Sequence, residues 1–141
     1  NLSIPKKSSF NQDDLKQLDN FKNNFDKLIG YIDNQDLNSY MNFIIESLFA
    51  ANKYFNDQEP WKKKSDLPRL NTIVYVSLEV IRKISIMLYP VIPESSLRVL
   101  NIFNIKEKDI KFESIKNHEE LAINNKINKI DILFKKIENH D

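Results

Sequence analysis

The stretch DLNSYMNFIIESLFAANKYFNDQEPWKKK, Asp36 to Lys64, carries the pattern that decides the fold. After Asp36, which is placed as a helix cap, Leu37, Met41, Ile44, Ile45, Leu48, Ala51, Asn52 and Phe55 recur at three- and four-residue steps. That spacing is a broad apolar face on one long helix. The pattern stops at Asp57-Gln58-Glu59-Pro60-Trp61, because proline cannot continue a helix and drives the residue before it out of helical dihedrals. Pro60 can open a short new turn through Lys64. Asn52 is the polar member of the stripe; a buried amide must find partners, so it is read as a structural group tying a loop or a neighbouring helix. Trp61, the sole Trp, follows the break beside Lys62, Lys63 and Lys64 and close to Arg69. An indole among cations is the pairing that single-stranded nucleic acid needs, one for stacking and the others for phosphates, although a lone Trp in a helical bundle is usually core.

Upstream, Leu15, Leu18, Phe21, Phe25, Leu28, Ile29 and Ile32 form one stripe, with Asn11 as its cap and Asp13 and Asp14 in the first turn. This predicts one helix to about Asp33-Asn34, antiparallel to the next because the link is so short. Downstream, Asp66 caps a third long helix with Pro68 in its first turn. Leu70, Ile73, Val74, Ser77, Leu78, Ile81, Ile84, Met87 and Leu88 make its stripe, and Pro90 ends it. A shorter helix from about Pro93 to Phe103 stops at Asn104, a residue suited to left-handed dihedrals. From Ile105 the periodicity weakens, with a turn expected at Asn124-Asn125 and a last apolar cluster at Ile130, Ile132, Leu133, Phe134 and Ile137. The expectation is an all-α bundle of about four main helices over 11–104, a linker from a missing upstream segment at 1–10 and a loosely structured tail at 105–141 that docks on the bundle or on a missing body of the longer chain.

Composition excludes more than it assigns. With 141 residues, 41% hydrophobic and 29% charged, one globular domain can bury a core without metals or disulfides. The absence of Cys removes disulfides, thiolate zinc sites and thiol nucleophiles, and Gly30 as the single Gly leaves no phosphate loop or dinucleotide fingerprint. The longest apolar stretches are broken by Glu46 and by Glu79, Arg82 and Lys83, too soon to span a bilayer. The start, NLSIPKKSSF, lacks a leader core and is read as cut from a longer chain. Net charge is +1, but residues 11–58 hold four Lys against eight carboxylates, while 59–90 hold six basic groups against three acids. The middle is therefore the candidate anion-facing region. His118 and His140 have no second ligand at a metal-binding spacing, and Asp13-Asp14 and Glu119-Glu120 are placed as exposed helix starts. No catalytic residue and no metal site is expected.

Four segments, in order, resemble the anticodon-binding domain of bacterial and organellar methionyl-tRNA synthetases, a class I aminoacyl-tRNA synthetase family. Phe43 to Tyr54 is similar to the family's helix ending in Ala-Asn-x-Tyr, and Pro60-Trp61-Lys62 to its Pro-Trp and following basic residues. Leu88-Tyr89-Pro90-Val91-Ile92-Pro93 is similar to Leu-x-Pro-Phe-Met-Pro, and Leu133-Phe134-Lys135-Lys136-Ile137-Glu138 to Leu-Phe-Pro-Arg-Ile-Glu, with Lys135 in place of Pro. The resemblance spans about 14–138. It implies that Trp61 stacks on the first anticodon base beside Pro60, with Lys62, Lys63, Lys64 and Arg69 as a basic rim. It implies further contacts from an Asn and an Arg in a Gly-Asn-Leu-x-x-Arg helix just upstream.

The expected function is recognition of the anticodon loop of methionine tRNA for a cytoplasmic, ATP- and Mg-dependent parent ligase. This fragment would hold neither catalytic centre nor cofactor, and its other partner would be the parent catalytic domain. The alternatives are a helical protein-interaction module and the corresponding domain of a sibling class I synthetase.

Overall fold

The computed structural model describes residues 3–121, and every element among them is helical. They are α1 (Gln12–Asn23), α2 (Phe25–Asp33), α3 (Leu37–Gln58), α4 (Leu67–Leu88) and α5 (Pro93–Ile102), with 3₁₀ turns at Pro60–Lys62, Glu107–Asp109 and Phe112–Lys116. The turn expected at Asn124-Asn125, the last apolar cluster, His140 and the fourth family-like segment lie outside the described residues.

α4 is the hub, packing against α1, α3 and α5. Ile73, Val76, Val80, Ile84 and Met87 join Leu18, Phe21, Leu28, Tyr40, Ile44 and Leu100 in the main core. Burying each such aliphatic side chain stabilises by about 1.5–3 kcal/mol. The opposite side of α4 sends Tyr75 into a smaller cluster with Ile4, Phe103 and Leu121.

The ends follow the sequence closely. Asn11 and Asp14 form a reciprocal capping box, and Asp36 and Asp66 accept the N–H groups of Ser39 and Arg69. Asn104 takes the left-handed conformation, with φ 64°, and the N–H groups of Asn104 and Ile105 close on the Asn101 and Leu100 carbonyls at 3.0 Å.

Two expectations are corrected. The first long helix is two, because the Asn24 side-chain amide donates to Asn20 O at 2.7 Å, occupying the carbonyl that a continuous helix would offer to the Asn24 N–H. The N-terminal flank is part of the bundle: Ile4 is buried, and Thr72 Oγ1 accepts from the Ser8 N–H at 2.8 Å. Residues 105–121, the described part of the tail, sit against α1 and α4, with Ile115 and Leu121 buried.

Polar side chains of α4 hold that last segment. Arg82 binds Glu79 and donates to the Ser114 and Asn117 carbonyls at 3.1 and 2.9 Å. Lys83 donates to the Ile115 carbonyl at 2.6 Å and to that of Asn117. Glu79 accepts from the Leu121 N–H at 2.9 Å, and the Tyr75 hydroxyl donates to the Leu121 carbonyl at 2.7 Å. His118 completes the contact, with Nε2 2.7 Å from Asp19 of α1.

Candidate nucleic-acid interface

The corner between α3 and α4 is built by a strained turn. Glu59, the residue before Pro60, ends α3 in the left-handed region at φ 48°, ψ 59°, a conformation that costs a non-glycine residue roughly 1–2 kcal/mol. Pro60 is buried and opens the 3₁₀ turn, so the next residue is thrown outward. Trp61 is accordingly 51% exposed and is not core. Its indole is 6.3 Å from the Phe55 ring at a tilt of 56°, so one aromatic neighbour braces it on α3.

The basic residues divide. Lys62 Nζ lies 2.7 Å from Glu59, whose carboxylate holds the amine above its ordinary range, yet the side chain stays solvent-exposed. Lys63 is half-buried and Lys64 exposed, and neither forms an ion pair among the described residues. Arg69 does something else. Its guanidinium forks onto Asp14, Nη1 to Oδ2 at 2.8 Å and Nη2 to Oδ1 at 2.9 Å, and Nη2 also donates to Gln58 Oε1 at 2.6 Å. The Tyr54 hydroxyl donates to Asp14 at 2.5 Å. Burial alone would raise the Asp14 carboxyl, but Arg69, Tyr54 and the Asn11 N–H together hold it below the usual range. Burial and the Asp14 hydrogen bond push the Tyr54 hydroxyl far up. Arg69 thus faces inward, and its charge is already matched.

Asp14 was expected at an exposed helix start; it is fully buried. A signal existed, since Asp14 stands four residues before Leu18 and seven before Phe21, on the same face of α1. Glu119 and Glu120 are exposed, pairing with Lys7 and Asn117, and the residues that would follow them in a helix lie outside the described residues.

Asn52 is the other correction: it is exposed, not a buried tie. α3 buries Tyr40, Ile44, Ser47 and Tyr54, so its phase is turned by about one residue from the stripe expected. The apolar arc was broad enough to fit either phase, and sequence spacing alone does not say which half meets the core. Ile45, Leu48, Phe49 and Phe55 are left outward with Asn52, on the side of the helix that meets Trp61. The turn sets an exposed indole directly before Lys62, Lys63 and Lys64 in the chain and against the side of α3 that carries Asn52, and stacking, phosphate contact and base-edge contact draw on these three kinds of group.

Among the described residues no group of His, Asp and Glu could hold a metal ion, and no helix is long and apolar enough to cross a membrane.

Comparisons with known proteins follow the same line. A family model described as the anticodon binding domain of methionyl tRNA ligase matches residues 4–141. The methionine–tRNA ligase of Pyrococcus horikoshii is 29% identical over 136 residues, covering 95% of this chain and 18% of its own length. The probable mitochondrial methionine–tRNA ligase of Dictyostelium discoideum is 36% identical over 110 residues, covering 73% of this chain and 19% of its own length. The apo form of Mycobacterium tuberculosis methionyl-tRNA synthetase superposes with a TM-score of 0.81 at 25% identity, covering 89% of this chain and 26% of that one. The chain therefore spans less than a third of the length of each of these proteins.

Proposed function

Because the chain belongs to the family of methionyl-tRNA ligase anticodon-binding domains, we propose that it reads the anticodon loop of methionine tRNA by stacking a base on Trp61. The observation that carries this is the half-exposed indole, braced by Phe55 on a turn where Pro60 is buried. In this reading Lys62, Lys63 and Lys64 meet phosphates and set the salt dependence. Asn52 offers its amide to a base edge from the same side of α3. Arg69 leaves the rim, since a guanidinium already matched by Asp14 has little left for phosphate.

As part of a methionine–tRNA ligase, the domain would help the enzyme select its tRNA, while a catalytic body elsewhere uses ATP and Mg to activate methionine. The uncovered strip of Ile45, Leu48 and Phe49 favours burial against another part of that parent. We place the parent in the cytoplasm, with which a Cys-free chain is compatible.

The sole Trp gives a direct test. Titrating the chain with a stem-loop bearing the methionine anticodon should quench Trp61 fluorescence, and a scrambled loop should do so more weakly. Equal or absent quenching by the two loops would reject base stacking and favour a purely protein-facing surface.

A further inference from the structure

We propose that Gln58 and Arg69 are positioning residues for Trp61, anchoring the strained end of α3 to Asp14 of α1; this deepens, and rests on, the stacking role given to Trp61. Three observations converge on it. The end of α3 has no basic side chain in its last turn and a non-glycine residue in the left-handed region at its cap, and apart from Gln58 its side-chain ties are exposed ion pairs, Lys53 with Asp57 and Glu59 with Lys62. A conformation of that kind persists only when its surroundings over-determine it. Gln58 is the last residue of α3, directly before Glu59, and its Oε1 accepts from Arg69 Nη2 at 2.6 Å.

Arg69 is itself held by several partners. Its fork on Asp14 matches a planar guanidinium to a fully buried carboxylate that Tyr54 and the Asn11 N–H also hold. Asp14 belongs to α1, Tyr54 and Gln58 to α3, and Arg69 to the first turn of α4. One cluster therefore ties three helices together at the base of the turn that displays Trp61. Stacking gains from a ring already held in place, because ordering it on binding would cost affinity.

The proposal separates two roles that the sequence leaves merged. An Arg near Lys62, Lys63 and Lys64 has the composition of a phosphate contact, but here it acts through Gln58 on the direction of the indole.

The test is Gln58→Ala, which removes the link to Arg69 together with the exposed Gln58 Nε2 hydrogen bond to Asp13 and leaves the Asp14–Arg69 pair and Trp61 intact. Trp61 is the only Trp, so its time-resolved fluorescence anisotropy and acrylamide quenching report its mobility without RNA. Gln58→Ala should add a fast local depolarisation and raise the quenching constant, with the thermal midpoint close to that of the parent chain. Affinity for the methionine anticodon stem-loop should fall about three- to tenfold in Gln58→Ala, and the same change should cost less than about twofold when made in Trp61→Ala. Unchanged anisotropy and quenching in Gln58→Ala would overturn the positioning role whatever the RNA result. Equal losses from Gln58→Ala with and without Trp61 would overturn it too. If instead Trp61→Ala alone leaves binding and discrimination untouched, the stacking reading fails, and the anisotropy still decides whether Gln58 fixes the indole.

Discussion

α4 carries two buried ionic clusters that handle charge in opposite ways. Near its start, Arg69 meets one carboxylate, Asp14, and the pair is neutral, with Gln58 linking it to a surface turn. Further along, Glu79 faces two cations, Arg82 and Lys83, whose other donors go mainly to carbonyls of the 114–117 segment and to the Ser114 hydroxyl, with Asp19 and Glu120 acting on Lys83 through space. Asp14 is therefore held ionised, below the usual carboxylate range. Burial, with Arg82 alongside, instead brings the Lys83 ammonium down to about 7. A matched pair can stand next to a binding surface without changing state near neutral pH, whereas an unmatched cation in the interior is drawn toward giving up its proton.

The difference can be broken most forcefully at Glu79. Glu79→Ala leaves Arg82 buried without its carboxylate and should destabilise by about 3–5 kcal/mol, read as a shift of the urea midpoint. A loss below 1 kcal/mol would mean that the carbonyls of the last segment suffice. Asp14→Asn should cost less, about 1–3 kcal/mol, because Arg69, with 17% of its side chain accessible, can turn to water. Equal losses at the two sites would erase the distinction.

Acid and alkali sharpen it. The unfolded Lys83 keeps its proton to about 10.5 and the folded one releases it near 7, so the unfolded state binds more protons between these values and stability rises with pH there. The rise should reach at least about 1 kcal/mol from pH 7 to 10 and be flattened in Lys83→Met. Groups facing Lys83 are Glu79, Arg82, Asp19, His118 and Glu120. The window closes near pH 10, where tyrosines such as Tyr40, raised by burial to about 12, begin to act in the opposite sense. Asp14 works at the other end: its contribution is full above about 3.8 and is lost as pH falls through its lowered folded value, and Asp14→Asn should remove that acid loss. The smallest effect is expected at Asn52, where Asn52→Leu should move the denaturation midpoint by no more than about 0.5 kcal/mol, since the side chain is exposed. A loss above 1 kcal/mol would return Asn52 to a structural role.

Helix ends and breaks were legible because they rest on local chemistry: caps at Asn11, Asp36 and Asp66, prolines at 60, 68 and 90, and the left-handed stop at Asn104. The break at Pro60 was legible in the same way, whereas the exposure of Trp61 was not, since spacing alone left the indole free to be core. What escaped depends on partners distant in sequence. Asp14 and Arg69 are 55 residues apart, and neither position by itself says that the other cancels its charge. The break at Asn24 turns on a side-chain amide competing with the backbone, and the phase of α3 turns on which half of a broad apolar arc finds α4. Residues 105–121 have weak periodicity because they form short 3₁₀ turns and no long helix, held by polar side chains of α4 and by separate apolar anchors such as Ile115 and Leu121.

The central claim is that Trp61 reads a base, and the most direct measurement is anticodon discrimination by Trp61→Ala in the ligase that carries this domain. The substitution should weaken binding by about 1–3 kcal/mol, on the order of 5- to 150-fold, with little loss of fold stability. Phe at this position should recover part of it. The methionine anticodon loop should suffer more than a scrambled one, whereas alanines at Lys62, Lys63 and Lys64 should weaken both evenly and flatten the salt dependence. If Trp61→Ala unfolds the domain, or leaves the preference for the matched loop intact, Trp61 is a packing residue and the account is wrong.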